Sequence, residues 1–421
     1  GAIVGAAEAL LALREASKTN ENSANETGVV AGALAERVVT LVRDVEKARL
    51  YRGKGGETMR AAVCRFVECL SNVRQPLDKG PGLSTGPKSL RTTLLVSMEE
   101  SLKHPSGDVR DAAVKALGAF AEAYMCGLNL EKGAERLVVT LCRTTSSDPN
   151  PAARRGAAAA LGAMPAALLM ARVKISIPEM NKKEGGTAEE TVPVPTTVPA
   201  WRAAMDALQL ASQFEEEPEA RDAETRVCAV KGALGVVKTL LAATRKTDGD
   251  EKQNAAAATA TCANETLTMC VFSIQNDYCM DNRGDVGSWI REAAMDAVPF
   301  LVAAAQATVG SRNDAETISS DETSANESKQ TPTLHVSRVT EIVSVLLKQA
   351  AEKIDRVRSA AGASLALVLQ GDTSISLSPV TEVPAYKGIL HSIPENPKVA
   401  AAWAAPASAF PHLAKLIAGD E

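Results

Sequence analysis

At 421 residues, with aromatic side chains at only 3%, the chain is too long for one compact core and too poor in large rings to fill one. A formal net charge of −5 lacks the basic surplus that phosphate binding demands, which excludes a nucleic-acid protein. No run approaches the roughly 18 consecutive apolar residues of a membrane-spanning helix, so none is predicted.

Helical periodicity dominates. Helices are predicted near Ala2–Ser17, Val29–Arg49, Glu57–Asn72, Leu90–Lys103, Val109–Tyr124, Glu131–Cys142 and Pro151–Ala171. Others follow near Ala200–Gln213, Ala220–Thr244, Ala255–Phe272, Val286–Val309, Val336–Lys353 and Ile354–Leu369. Alternating Val, Ile and Thr runs are short and isolated, the longest being Lys174–Ile177, so no strand series is expected. Asp108 is the expected N-cap of the Val109 helix, Pro151 occupies a first helical turn, and Gly371 is a natural stop.

Six of these helices share one pattern, an arginine with small or apolar residues at −1, +2, +3, +6 and +7. The arginines are Arg60, Arg110, Arg154, Arg226, Arg291 and Arg358. In the fifth copy the partners are Ile290, Ala293, Ala294, Ala297 and Val298. Such positions lie on one helical face. Small residues there let two backbones approach, and so modest a face cannot be buried without stacked neighbours, which leaves the arginine beside the seam. The first two intervals, about 50 and 44 residues, resemble the roughly 40–47 of HEAT and armadillo repeats. The fold class is therefore an all-α solenoid of stacked helix pairs, in which the arginines are structural.

Longer intervals contain segments of loop composition, which set the expected organisation. Residues 1–177 form N-terminal helical repeats and 178–199 a loop insert. Residues 200–309 form central repeats with a loop near 247–254, 310–332 a disordered insert, and 333–421 the C-terminal repeats and tail. The chain has no initiator Met and is expected to be part of a longer one.

Chemistry-bearing motifs are sparse. Eight cysteines include no C-x-x-C pair, which points to reduced core thiols and no metal. The four histidines, His104, His335, His391 and His412, lie in no catalytic motif and read as surface or capping residues. Arg52–Glu57 is rich in glycine, but its lysine precedes a glycine where a phosphate loop needs Ser or Thr, so a turn is expected. The three N-x-S/T triplets and Arg283-Gly-Asp285 lack an extracellular setting and are read as chance. No enzyme and no cofactor are indicated.

Two segments exceed what helix packing requires, Lys47–Glu57 and Asp277–Ala294. Arg, Tyr and Trp beside a turn anchor interfaces, which makes Tyr51, Arg52, Arg283, Asp285 and Trp289 candidate partner-binding residues.

The stretch Arg283–Met295 resembles a signature of the tubulin-folding cofactor D family. So do Leu50–Gly56 with Met59–Cys64, Arg155–Pro165, Glu352–Arg358 and Trp403–Pro411, in the same order. The resemblance is to the C-terminal portion of the family. It implies a cytoplasmic, cytoskeleton-associated HEAT chaperone that captures β-tubulin, works with cofactors E and C and binds an Arf-like small GTPase. GTP hydrolysis by tubulin would be promoted by the assembly rather than by a catalytic residue of this chain. The alternative is a generic HEAT scaffold of transport-receptor or phosphatase-scaffold type, without nucleic acid or a membrane span.

Overall fold

A computed structural model describes residues 53–75, 77, 89–127, 129–177, 194–213, 221–313, 336–371 and 403–418, with scattered positions between 3 and 48. The expected helices before residue 49 therefore lie largely outside the described residues. So do most of the two long inserts, together with Tyr51 and Arg52. The chain forms two compact units, Gly1–Ala211 and Ser212–Glu421.

In the first unit, α1 (Gly56–Asn72), α3 (Gly107–Tyr124) and α6 (Pro151–Leu161) pack side by side. Helices α2 (Leu90–Leu102) and α5 (Thr140–Ser147) pair with α3 and α6 respectively. A short α4 (Leu130–Ala134) runs through a π-helical turn at Glu135–Val139 into α5. Each arginine-bearing helix buries the predicted face: Val63, Phe66 and Val67; Val109, Ala113, Ala116 and Leu117; Ala153, Ala157, Ala160 and Leu161. Leu, Phe and Val fill what alanine leaves, at about 1.5–3 kcal/mol for each large side chain removed from water.

Helix ends follow local chemistry. Asn150 caps α6 by accepting a hydrogen bond from the Ala152 N–H at 3.0 Å, with Pro151 in the first turn as expected. The cap of α3 is Ser106, however, and Asp108 sits inside the first turn. Its charge suits the positive helix end there without capping it. Helix α1 ends with Arg74 at φ 51°, the Gln75 N–H reaching the Leu70 carbonyl at 3.0 Å and the Arg74 N–H that of Ser71 at 2.9 Å. This is a Schellman turn with arginine where glycine is usual.

After α7 (Ala166–Met170), strands β1 (Arg172–Ile177) and β2 (Val194–Pro199) pair antiparallel from Arg172–Pro199 to Ile177–Val194. The expected loop 178–199 therefore ends as a strand. Its prolines are tolerated because a two-stranded ribbon leaves every other N–H unpaired. Helix α8 (Ala200–Ser212) follows.

In the second unit, α9 (Ala223–Thr244), α11 (Gly287–Asn313) and α13 (Asp355–Gln370) form one row. Helices α10 (Gly249–Asn276) and α12 (Val336–Ala350) form the other. Of the loop expected at 247–254, only Thr247 and Asp248 precede α10; Gly249–Asn254 form its first turns. Asp250 and Glu251 there favour a helix N-terminus, and the polar run is simply its solvated end. Helix α11 also extends past 310, to Asn313. Helix α9 is long and apolar enough by composition to cross a membrane, but it packs between α10 and α11 and none of its large apolar residues is exposed. A tail helix, α14 (Pro406–Ala418), lies against α12. Gly371 ends α13 at φ 78°, as its position in the sequence implied.

Candidate functional site

The six arginines lie one to a helix, on α1, α3 and α6 of the first unit and on α9, α11 and α13 of the second. In three of them the guanidinium reaches back to the turn before its own helix. Arg110 Nη1 donates to the carbonyls of His104 (2.8 Å) and Pro105 (2.7 Å). Arg154 Nη1 donates to Asp148 O (2.9 Å), and Arg358 Nη1 to Glu352 O (2.6 Å) and Lys353 O (2.8 Å). Backbone carbonyls leaving a helix have no partner within it, and a cation there also suits the negative helix end. Arg60 differs, donating from Nη1 to Ser101 Oγ on α2 at 3.3 Å.

The expectation that these arginines lie beside the seam fails in the second unit. Arg226, Arg291 and Arg358 are 0%, 0% and 1% exposed. A buried charge is tolerated only when paired and hydrogen-bonded, and for Arg226 and Arg291 the segment between α10 and α11 supplies the partners. Asp277, itself buried, accepts from Arg226 Nε at 2.9 Å and Nη2 at 3.2 Å. Its carbonyl accepts from Arg291 Nη1 at 2.6 Å. Burial pushes the Asp277 carboxyl above its ordinary range, while the guanidiniums of Arg226 and Arg291 pull it back. Arg291 also donates from Nη2 to Asp285 Oδ2 at 2.8 Å and stacks 4.1 Å from the Tyr278 ring centroid. Asp277 thus joins two successive repeats, a role no local pattern announces because its partners lie 51 and 14 residues away.

The Asp277–Trp289 segment folds as a small hairpin, β3 (Met280–Asp281) against β4 (Gly284–Asp285). Gly287 follows, where a Cβ would collide with the Asp277 carbonyl and the Cys279 N–H. Asp285 begins α11, accepting from the Ser288 N–H at 3.1 Å as well as from Arg291. Arg283 at the tip is half exposed, paired with Asp281 (2.7 Å) and with Glu224 of α9 (2.8 Å). Its guanidinium lies 4.9 Å from the half-buried Trp289 ring centroid. Of the described candidates, Arg283 and Trp289 therefore meet at the surface, whereas Asp285 is committed to the fold. Exposed Phe272, Tyr278 and Met280 border the same turn.

At the far end, Trp403 is 1% exposed and lies over Gly362 of α13, where any Cβ would overlap its indole. Arg358 Nε donates to the Trp403 carbonyl at 3.3 Å and Nη2 to that of Ala404, while Nη2 also meets Asp355 Oδ1 at 2.5 Å. One guanidinium thereby joins Glu352–Arg358 to the tail. The described cysteines are all free thiols. His104 acts as a capping group, its Nδ1 accepting from the Ser106 N–H at 3.1 Å.

Residues 340–421 match the family described as tubulin folding cofactor D C terminal. Tubulin-specific chaperone D of Dictyostelium discoideum is 21% identical over 427 residues, covering 86% of this chain and 26% of that protein. The chain is related to tubulin folding cofactor D. It spans about a quarter of the length of that cofactor D relative. Residues 94–124, which hold α3 and most of α2, match the HEAT repeat. A chain in a solved structure of Kap95p with RanGDP is similar at a TM-score of 0.35 and 12% identity, covering 89% of this chain and 45% of that one. Of the stretches resembling cofactor D, Glu352–Arg358 and Trp403–Pro411 fall within the matched region and Arg283–Met295 precedes it.

Proposed function

We propose that the chain is the scaffold portion of a tubulin-folding chaperone. It holds β-tubulin and an Arf-like small GTPase, and works with cofactors E and C to assemble the α/β-tubulin heterodimer in the cytoplasm, beside the microtubule cytoskeleton. The reading rests on the 340–421 match, in which two stretches about 45 residues apart close on each other through Arg358. Stacked helical repeats offer a long surface suited to a folding client. The chain's contribution is binding and positioning: the repeat arginines are engaged in hydrogen bonds to turn carbonyls, carboxylates or a neighbouring helix. Any promotion of GTP hydrolysis by tubulin arises from the assembly.

The test immobilises the full chain and offers it chaperonin-released β-tubulin and, separately, an Arf-like GTPase in its GDP and GTP forms. Retention of β-tubulin is expected, and retention of neither protein overturns the proposal. For the hairpin, Arg283→Ala with Trp289→Ala, leaving Asp285 in place, should weaken capture at unchanged helicity. Undiminished capture would remove Arg283 and Trp289 from the contact.

A further inference from the structure

Two buried arginines of the second unit, Arg226 and Arg358, are covered in different ways. Over Arg226 the cover is charged, because Asp277 supplies a buried carboxylate from 51 residues away. Over Arg358 it is neutral: the tail offers the carbonyl of Trp403, which accepts from Nε at 3.3 Å, and that of Ala404. The carboxylate on Arg358 is Asp355, from the first turn of the same helix, with a side chain 76% exposed. The Glu352 and Lys353 carbonyls, at 2.6 and 2.8 Å, are local as well. The charge is therefore met within its own repeat, and the tail can leave without stranding a buried, unpaired cation.

What the tail fills is a notch. Gly362 lies about one turn along α13 from Arg358 and presents bare backbone, over which the five-membered ring of the Trp403 indole rests. An added Cβ would fall within 2.6 Å of the indole Cγ, Cδ1 and Cδ2, so glycine makes the depression and tryptophan occupies it. Beyond the indole, α14 turns Ala409 and Leu413 inward and leaves Phe410 exposed, its ring centroid 5.9 Å from the Arg358 guanidinium. Residues 372–402 separate Gly371, which stops α13, from Trp403. The contact is thus made by a segment arriving from a distance, as a bound peptide would make it.

We propose that Arg358 and Gly362 form a peptide-binding notch on α13, and that the chain's own tail is a releasable strap seated in it. The ligand it takes is a segment led by an indole and offering two successive carbonyls to the guanidinium. While seated, the strap closes the notch to any competing segment of the same chemistry. The notch is independent of the client that the repeats carry.

The probe is a fluorescein-labelled synthetic peptide of residues 400–418, offered to the full chain and followed by fluorescence anisotropy. The unmodified chain, with its notch filled, should bind it at least about tenfold more weakly than the full chain carrying Trp403→Ala. The peptide carrying Trp403→Ala should bind neither chain. Adding Gly362→Ala to the Trp403→Ala chain should abolish binding of the unmodified peptide. Alanine favours a helix over glycine, so this loss should come with no fall in helicity by circular dichroism. Absence of binding to the Trp403→Ala chain overturns the proposal, and so does equal binding to the filled and emptied chains. Binding that survives Gly362→Ala, or loss of the peptide's tryptophan, overturns it too. Should Trp403→Ala itself lower the helicity, the otherwise unmodified chain is cut instead at a protease site placed between 372 and 402. The tail fragment should then stay bound in gel filtration and leave when excess unlabelled peptide is added. A fragment that excess peptide cannot displace overturns the strap.

Discussion

Replacing Asp277 by alanine tests whether the buried charge cluster holds the second unit together. The substitution takes the bidentate carboxylate from Arg226, which is 0% exposed. Removing one partner of a buried pair costs about 3–5 kcal/mol. The Arg291 bond is to the Asp277 carbonyl and survives the change, so the lower end, about 3 kcal/mol, is expected. For a unit of roughly 200 residues that lowers Tm by about 6–12 °C. Trp289 and Trp403 both lie in this unit, so a Trp201→Phe background makes urea unfolding followed by tryptophan emission specific to it. The partner change Arg226→Met, combined with Asp277→Ala, removes both charges and should cost much less than the sum of the single substitutions. A loss below about 1 kcal/mol for Asp277→Ala, or additivity within about 0.5 kcal/mol, would refute the account of Asp277 as the compensating charge.

Arg74→Gly should stabilise the first unit by about 0.5–1 kcal/mol, because φ 51° strains a side-chain-bearing residue; an unchanged or lower urea midpoint would count against the turn described. Burial pushes the Cys64 thiol up to about 11 and that of Cys270 to about 12. Folding therefore retains protons that the unfolded chain releases, so stability should fall as pH climbs from about 9 towards 12. Alkylation at pH 8 should spare both thiols until denaturant is added, and rapid native labelling of either would contradict their burial. Gly362→Ala should displace Trp403 from α13 and shift its emission to the red in a background lacking the other tryptophans; unaltered emission would mean that the indole does not rest on that glycine.

The helices and their buried faces were legible because period and residue size are local properties, as Ile290, Ala294 and Val298 illustrate. The burial of Arg226, Arg291 and Arg358 was not, since what covers them includes groups distant in sequence: Asp277 lies 51 residues from Arg226, the Tyr278 ring covers Arg291, and the Trp403 carbonyl lies 45 residues from Arg358. Asp248–Glu251 misled because a polar, glycine-containing run looks the same whether it is a loop or the solvated start of a long helix. Val194–Pro199 misled for a related reason: two prolines argue against a strand in a sheet but not in a two-stranded ribbon. Arg283 and Trp289 were singled out from residue type as candidates for a contact, but that the guanidinium lies 4.9 Å from the indole centroid was not legible. The commitment of Asp285 to its own helix start was hidden until Ser288 and Arg291 were placed beside it.

Arg110, Arg154 and Arg358 each grip a carbonyl six residues upstream, whatever distance separates one arginine from the next. The joint inside a helix pair is thus measured by a short internal ruler, and the connection between pairs carries no such constraint. Closing a longer connection costs only about 0.6 kcal/mol per doubling of its length. Segment 314–335 falls in a connection of the unconstrained kind, between α11 and α12, and segment 178–193 joins the ends of the paired strands β1 and β2. Sequence can therefore be added or exchanged there without resetting how any helix meets its neighbour, and those connections are the natural points for inserting a reporter or a cleavage site.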